Sequence, residues 1–582
     1  MKQAAAKQAA AKQAVSRRST MMPELLRQGV AYHQAGRFSE AEACYRQILS
    51  IDPRHADSLH LLGVIALQSG RNEPAVELIG RAIRRAPLLA HYHSNLASAL
   101  AGLGRFEESV QSCREACRLN PTFATAHNKL ANALQSLGRL DEAEVSARTA
   151  LRLDPDYPEA HNSLGYILHQ AGRNAEAVPC CREALRLRPN FVEAHNNLGN
   201  ALRDLGRADE AEASYAAALA LRPTYVEAHY NRGNAFAALG KVEAAERATR
   251  EALRLRPDYV RGHISLGMHL LLAGRLDEGW AEYEWRWRST TDGFPDQRGF
   301  VQPRWDGERL DGRVLLLHAE QGFGDTLQFC RYAPLAVARA GGRVVLEVPR
   351  ALARLMTTLP GVDQVVAEGD PLPNFDVYCP LLSLPYTFGT TLDTIPGTSP
   401  YLGAEAVPAA QWRSRLATLP GLRVGLVWAG NPRRSQPTAT AIDMRRSVTL
   451  QHLAPLASTQ GVSFVSLQKG AGAAQAFAAP AGMLLHDWTH ELGDFADTAS
   501  LIEGLDLVIG VDTAVIHLAG ALGKPTWMLN RFDTCWRWLL GRDDSPWYPS
   551  LRQFRQPKPA DWGSVLAEVR GALDALVHSV PR

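Results

Sequence analysis

No run of about 18 continuous apolar residues, the length needed to cross a bilayer, occurs in this 582-residue sequence, so no membrane span is predicted. The eight cysteines (44, 113, 117, 180, 181, 330, 379 and 535) form no Cys-x-x-Cys pair, and buried free thiols in a reducing cytosol are expected. Charge of one sign is also lacking. Sixty-three basic against sixty acidic residues leave +3, and no segment is single-signed strongly enough to demand nucleic acid or an anionic membrane. Residues 1–14 repeat Lys-Gln-Ala-Ala-Ala without the apolar run of a signal peptide, so a cytoplasmic protein is the expectation.

What is present is a beat. Gly-Arg or Gly-Lys recurs every 34 residues, at Gly36, Gly70, Gly104, Gly138, Gly172, Gly206, Gly240 and Gly274. A proline keeps the same interval at Pro53, Pro87, Pro121, Pro155, Pro189, Pro223 and Pro257. Such self-similarity implies a solenoid of helix-turn-helix units. Within one unit, Leu164, Ile167 and Leu168 mark the apolar face of a first helix that Gly172 ends. Ala177, Cys181, Ala184 and Leu185 mark a second helix that Pro189 stops. Small residues fall where paired helices must approach, Gly165, Gly199, Gly233 and Gly267 on first helices and Ala143, Ala177, Ala211 and Ala245 on second ones. The pattern resembles the tetratricopeptide repeat, with about eight units over residues 22–290 behind an Ala/Lys/Gln-rich extension, 1–21.

Two columns run through the repeats. Histidines at 93, 127, 161, 195, 229 and 263 are too far apart on successive helices to share a metal, and packing between helices is expected of them. The second column is Asn95, Lys129, Ser163, Asn197, Asn231 and Ser265. An amide has two donors and two acceptors, which suits holding an extended peptide backbone. Asn95, Asn197 and Asn231 are thus candidate groove residues, in a column similar to the asparagine ladder of the O-GlcNAc transferase superhelix. A merely solvated groove is the competing reading.

After the eighth unit, Trp280 to Trp287 form an aromatic-rich segment suited to capping the solenoid against a neighbouring domain, and a loop with Gly293, Pro295, Gly299 and Pro303 follows. β-Branched runs then alternate with amphipathic helices, the sign of a parallel sheet flanked by helices. Strands are expected near 313–318, 343–348, 363–367, 375–379, 422–428, 462–467, 506–511 and 525–529. Helices are expected near 325–340, 350–358, 449–460, 496–504, 513–522 and 562–576. Gly389 to Pro420 reads as a connector of little periodicity. The expected fold is an all-α solenoid followed by an α/β module of GT-B type, with Rossmann-like halves at 291–405 and 406–582 and ligands beyond the strand ends.

Three such ends carry candidate chemistry. Leu315 to Leu327 runs a strand into Gln321-Gly322-Phe323-Gly324-Asp325, where two glycines let a substrate near the backbone and Asp325 is either a base or only an N-cap. Leu505 to Pro525 leads an apolar strand into a helix whose first amides, at Thr513, Ala514 and Val515, suit a diphosphate, with Asp512 before them and His517 one turn along. Gly430-Asn431-Pro432 follows the strand at 422–428, with Arg445 and Arg446 downstream as candidate anion-neutralising cations.

The Gly-x-Gly-Asp-x-Leu start and the Asp-Thr-Ala-x-x-His-Leu-Ala-Gly-Ala-Leu-Gly-Lys-Pro segment resemble the lipopolysaccharide heptosyltransferase family over about residues 310–575. The whole layout is similar to bacterial tetratricopeptide-repeat glycosyltransferases. The resemblance implies inverting, metal-independent transfer from a nucleotide sugar, with no cofactor. It makes Asp325 the general base, Asp512, Thr513 and Ala514 part of the donor site, and Arg445 or Arg446 the cation; Asn431 and His517 join the donor side, and Gln321, Gly322 and Gly324 the acceptor cleft. No Asp-x-Asp stands in the α/β region as a metal anchor. A protein or peptide acceptor held in the solenoid is expected, with neither nucleic acid nor a membrane span. The alternatives are a polysaccharide or lipid-linked acceptor, or a catalytically inactive scaffold.

Overall fold

The computed structural model describes residues 21–289, 298–397, 399–432 and 437–579, without the side chains at 437–439 and 441. Residues 1–20 of the Ala/Lys/Gln-rich extension and the predicted loop positions Gly293 and Pro295 lie outside the described residues. The chain divides into two compact units, the first ending at Gly206 and the second starting at Arg207. The last repeats therefore fall into the same compact unit as the α/β region.

The first unit is all-α. Its helices alternate as predicted, for example Pro158–Gln170, Asn174–Leu187 and Val192–Asp204. The beat has a backbone cause. Each glycine of the 34-residue series takes a left-handed φ, between 70° and 81°, as the chain turns from first to second helix. A side chain at Gly165 would place its Cβ 2.5 Å from the sulfur of Cys181, so that glycine is needed for helix contact instead. The histidine column does not serve simple helix packing. Each ring Nε2 lies 2.8–3.1 Å from the carbonyl of the proline six residues earlier, as at His161 and Pro155. The imidazole thus fastens the turn between units, which explains why the histidine and the proline share one period.

The second unit continues the repeats through Val260–Leu272 and Leu276–Tyr283, closes them with a 3-10 turn at Glu284–Arg288, and then becomes α/β. Strands β1 (Val314–His318), β2 (Arg343–Val348), β3 (Gln364–Ala367) and β4 (Val377–Pro380) form one parallel sheet in the order β3-β2-β1-β4. A second parallel sheet has the order β10-β9-β8-β5-β6-β7. Its strands are β5 (Leu422–Val427), β6 (Val462–Ser466), β7 (Leu485–His486), β8 (Leu507–Val511), β9 (Thr526–Asn530) and β10 (Leu551–Arg555). The pattern of apolar runs missed β7 and β10. The expected helix at 325–340 is three pieces, Phe323–Phe329, a 3-10 turn Cys330–Tyr332 and Ala333–Ala340. The expected helix at 449–460 is the 3-10 segment Leu450–Ser458, which has Pro455 inside it. The supposed connector contains a helix, Ala406–Leu416, that packs against Phe495–Glu503.

The aromatic segment caps the repeats by burial. Trp280 is 1% exposed and meets Trp536, Phe329 and Trp547 edge-on, with ring centroids 5.3, 6.1 and 6.4 Å away. Beside it lies Arg286, its side chain wholly buried. The guanidinium donates to Glu284 at 2.5 Å, to Glu320 at 2.9 Å and to the Ser383 hydroxyl at 2.8 Å. Burial works against its charge, and the two carboxylates outweigh that and hold it protonated. Burial pushes the Glu320 carboxyl up, with Arg286 pulling the other way. All eight cysteines are free, and burial raises the thiols of Cys113, Cys181, Cys330 and Cys379 to about 12. No helix among the described residues is long and apolar enough to cross a membrane.

Arg286→Ala leaves the buried Glu320 carboxylate without its cation, while Glu284 keeps Arg304 at 2.7 Å, and is expected to destabilise the second unit by about 3–5 kcal/mol. Urea unfolding followed by tryptophan fluorescence reads this, and an unshifted midpoint would show that the network contributes nothing.

Candidate active site

The site is assembled from loops at the carboxyl ends of strands in both sheets. From the first sheet, β1 runs through Ala319-Glu320-Gln321 to Gly322, which is the N-cap of helix Phe323–Phe329. Asp325 is thus not the N-cap; it stands inside the first turn, and the helix has no side-chain cap. Its Oδ1 is bonded by the Arg537 guanidinium instead. Gln321 donates to the Tyr283 hydroxyl at 3.0 Å, so its amide is used to tie this loop to the last repeat.

From the second sheet, β8 ends in Asp512-Thr513, and Thr513 is the extended N-cap of helix Ala514–Ala521. The Thr513 hydroxyl oxygen is buried with no hydrogen-bond partner among the described residues. First-turn amides at a helix start have no partner within the helix, and the dipole there favours an anion. His517 leans back toward this end. Its Nδ1 is 2.9 Å from the Tyr548 hydroxyl and its Nε2 is 3.7 Å from Asp512 Oδ1. Burial pushes the Asp512 carboxyl up, but the imidazole outweighs it and Arg446 adds its charge, so the group sits well below the usual carboxylate range.

Elements flanking the two sheets meet closely at Gly324. A Cβ at Gly324 would meet His517 Cδ2 at 2.8 Å and Nε2 at 3.2 Å, and helices Phe323–Phe329 and Ala514–Ala521 pack together there. Asp325, Gly324, His517 and Asp512 therefore lie in one continuous neighbourhood.

The third predicted segment is more distant in role. Trp428 and Ala429 donate backbone amides to Gln468 Oε1 at 3.0 and 2.8 Å, which fixes the end of β5. Asn431 is exposed in the turn beyond. Arg446 is paired with Asp443 at 3.0 Å, and both crowd the space that Gly430 leaves free. Arg445 reaches Asp533 at 3.1 Å. Neither arginine stands as an unengaged cation, because each has an acidic neighbour on hand.

Sequence reasoning missed Arg537, Trp538 and Tyr548. Arg537 follows β9 in a 3-10 turn, Trp536–Trp538, with its guanidinium 4.1 Å over the Trp536 ring. Burial disfavours its charge, and Asp325 outweighs that. An arginine between two tryptophans after a strand was the available signal. Among the described residues, no group of three or more His, Cys, Asp or Glu side chains is placed to hold a metal ion.

The candidate groove residues are only partly open. Asn231 is 8% exposed. Asn197 donates to Asn162 at 2.9 Å, and Asn95 lies 3.1 Å from His60 Nε2 and accepts from Lys129 at 3.3 Å. These amides bond across successive repeats, so the column is largely an internal ladder.

Comparisons with known proteins match the repeats and part of the α/β region separately. Tetratricopeptide-repeat profiles match residues 32–99, 97–138, 128–190, 180–213, 199–240 and 226–259. The profile of glycosyltransferase family 9 (heptosyltransferase) matches residues 492–530, from Leu492 through β8 and its helix to the end of β9. The chain is 31% identical to Protein FlbA of Caulobacter vibrioides over 329 residues, covering 52% of this chain and 53% of that protein. It thus spans about half the length of that curated relative. Among solved structures, it is similar to the APC/C hetero-tetramer Cut9-Hcn1 (TM-score 0.37, 20% identity, 43% of this chain and 49% of that one). It is also similar to YrrB, a TPR protein with an unusual peptide-binding site (TM-score 0.27, 26% identity, 32% and 97%). The N-terminal half carries tetratricopeptide repeats, and the C-terminal region carries a heptosyltransferase-type segment.

Gly324→Ala forces its methyl into the His517 ring and is expected to cost about 1–3 kcal/mol of stability by overpacking. Thermal unfolding at several scan rates tests it; a variant as stable as its parent would mean the two helices do not meet at this glycine.

Proposed function

We propose that the chain is a glycosyltransferase that moves a sugar from a nucleotide-sugar donor to an acceptor hydroxyl. The cleft lies between two Rossmann-like halves of GT-B type, and transfer is inverting and metal-independent. The observation that carries this reading is a coincidence of position. The family 9 match supplies Asp512, Thr513, Ala514 and His517, and His517 lies against the glycine that precedes Asp325.

The chemistry follows from the groups available. An acceptor hydroxyl loses its proton reluctantly at neutral pH, so a carboxylate at Asp325 helps by taking it as the new bond forms. The departing nucleoside diphosphate gains charge, which the amides at Thr513, Ala514 and Val515 and the helix dipole stabilise. Asp512 orients His517 from one side and Tyr548 from the other, which keeps the ring at the mouth of that site. Arg446 and Arg445 add positive potential around it. The repeats recruit the acceptor, which we take to be a protein. The buried Asn231 moves support for that role from an amide ladder to the repeat architecture as a whole.

Asp325→Asn removes the proton acceptor while nearly preserving shape, and turnover is expected to fall by about 10²-fold or more. Release of nucleoside diphosphate from UDP-, GDP-, ADP- and dTDP-sugars measures it; wild-type rates in the variant would make Asp325 structural. Thr513→Pro deletes one amide at the helix start and is expected to weaken nucleoside diphosphate binding by about 1.5–3 kcal/mol. Calorimetry showing equal affinity would remove the helix terminus from the donor site.

A further inference from the structure

The Asp325 carboxylate is asymmetrically used. Arg537 bonds Oδ1 from a site walled by the Trp536 ring, with the guanidinium side chain only 12% exposed. Oδ2 faces the other way, toward Gly322. A Cβ built at Gly322 would lie 3.5 Å from Oδ2 and within 4 Å of nothing else beyond its chain neighbours. Gly322 has φ −68° and ψ 170°, values open to any residue, so its backbone does not call for glycine. What the missing side chain does is leave the free edge of the carboxylate open.

We propose that Arg537 is a positioning residue that holds Oδ1 and so assigns Oδ2 as the proton-accepting atom, with the acceptor hydroxyl entering past Gly322. This rests on the glycosyltransferase reading above. In the step, the acceptor oxygen forms a bond to the anomeric carbon while its proton passes to Asp325 Oδ2. The bond from that carbon to the diphosphate oxygen breaks, and its electron pair leaves with the nucleoside diphosphate. Arg537 keeps the carboxylate from rotating and keeps its other oxygen from competing for the proton. The two glycines of the loop thereby separate in role: Gly324 makes room for His517, and Gly322 makes room for the acceptor.

The test uses the full chain, the same four classes of nucleotide sugar, and two surrogate acceptors, water and glycerol, with nucleoside diphosphate release as readout. Gly322→Ala is expected to lower the ratio of glycerol-dependent to water-dependent release by about tenfold, since a methyl there obstructs the larger acceptor more. Arg537→Met is expected to lower kcat by about 10²-fold with the donor dissociation constant within threefold of the parent. Arg537→Lys, and millimolar guanidinium added to Arg537→Met, should each restore part of that loss, which a merely structural arginine would not allow. An unchanged glycerol-to-water ratio in Gly322→Ala, or no recovery in either rescue, would overturn the inference even where Asp325→Asn is inactive. Full activity in Asp325→Asn, or no release by the parent chain from any donor, would overturn the underlying reading instead.

Discussion

A single buried guanidinium, that of Arg286, joins the last repeat to the first parallel sheet. Its two carboxylate partners come from different places. Glu284 belongs to the 3-10 turn that closes the repeats, and Glu320 to the loop that leaves β1. A buried charge with its partner missing is costly, and Glu320 has only Arg286 as its cation partner among the described ion pairs, whereas Glu284 also bonds Arg304. Ser383 after β4 completes the arrangement by bonding both Arg286 and Glu284. The same loop that carries Glu320 carries Gly322 and Asp325 five residues on. Tyr283, in the closing helix, takes a hydrogen bond from Gln321 in between. The position of Asp325 is thus set partly by the repeat that precedes the sheet. That is a physical reason for these final repeats to fall in one compact unit with the α/β region.

The candidate site illustrates a second constraint, that opposite charges are drawn from different loops. Asp325 follows β1 and its partner Arg537 follows β9; Asp512 follows β8 and feels Arg446, which follows β5. Asp325 and Asp512 therefore each have a cation from another loop. The consequence is a site whose charged groups hold one another in place before any ligand arrives, which is what electrostatic preorganisation requires. It also means that Arg446 and Arg445 have acidic neighbours to leave before they can serve an anion directly. The helix start at Thr513, whose buried hydroxyl oxygen has no partner among the described residues, needs no such rearrangement.

Much of this was legible beforehand, for identifiable reasons. The 34-residue beat is set by a backbone demand, a left-handed turn, and glycine alone meets it at little cost, so the sequence could hardly hide it. Eight of the strands are apolar runs long enough to stand out. β7 has two residues, and β10 reads Leu-Arg-Gln-Phe-Arg with no β-branched residue, so neither carries the usual mark. The site was half visible. Asp325, Asp512, Thr513 and His517 belong to local strand-turn-helix patterns, but Arg537 lies 212 positions from its partner, and no periodicity connects them. The groove asparagines show the opposite limit. Their spacing was right, yet whether an amide faces a groove or a neighbouring repeat depends on packing that spacing does not encode, and Asn231 is buried.

The histidine column shows why an equal period need not mean an equal function. Histidine recurs with proline, whose carbonyl lies beyond the end of each second helix and outside the helical ladder. From Pro87 to Pro257 a ring nitrogen six residues on meets that carbonyl, at 2.8–3.1 Å. In the last unit the same histidine gains a second task. His263 bonds Pro257 through Nε2, contacts Glu282 through Nδ1 at 2.5 Å, and stacks on Trp285 with ring centroids 3.6 Å apart. Trp285 sits one residue before Arg286. A residue that elsewhere only fastens a turn is used here to seat the segment on which the buried ion network depends, so the repeat pattern and its interruption are held by the same side chain.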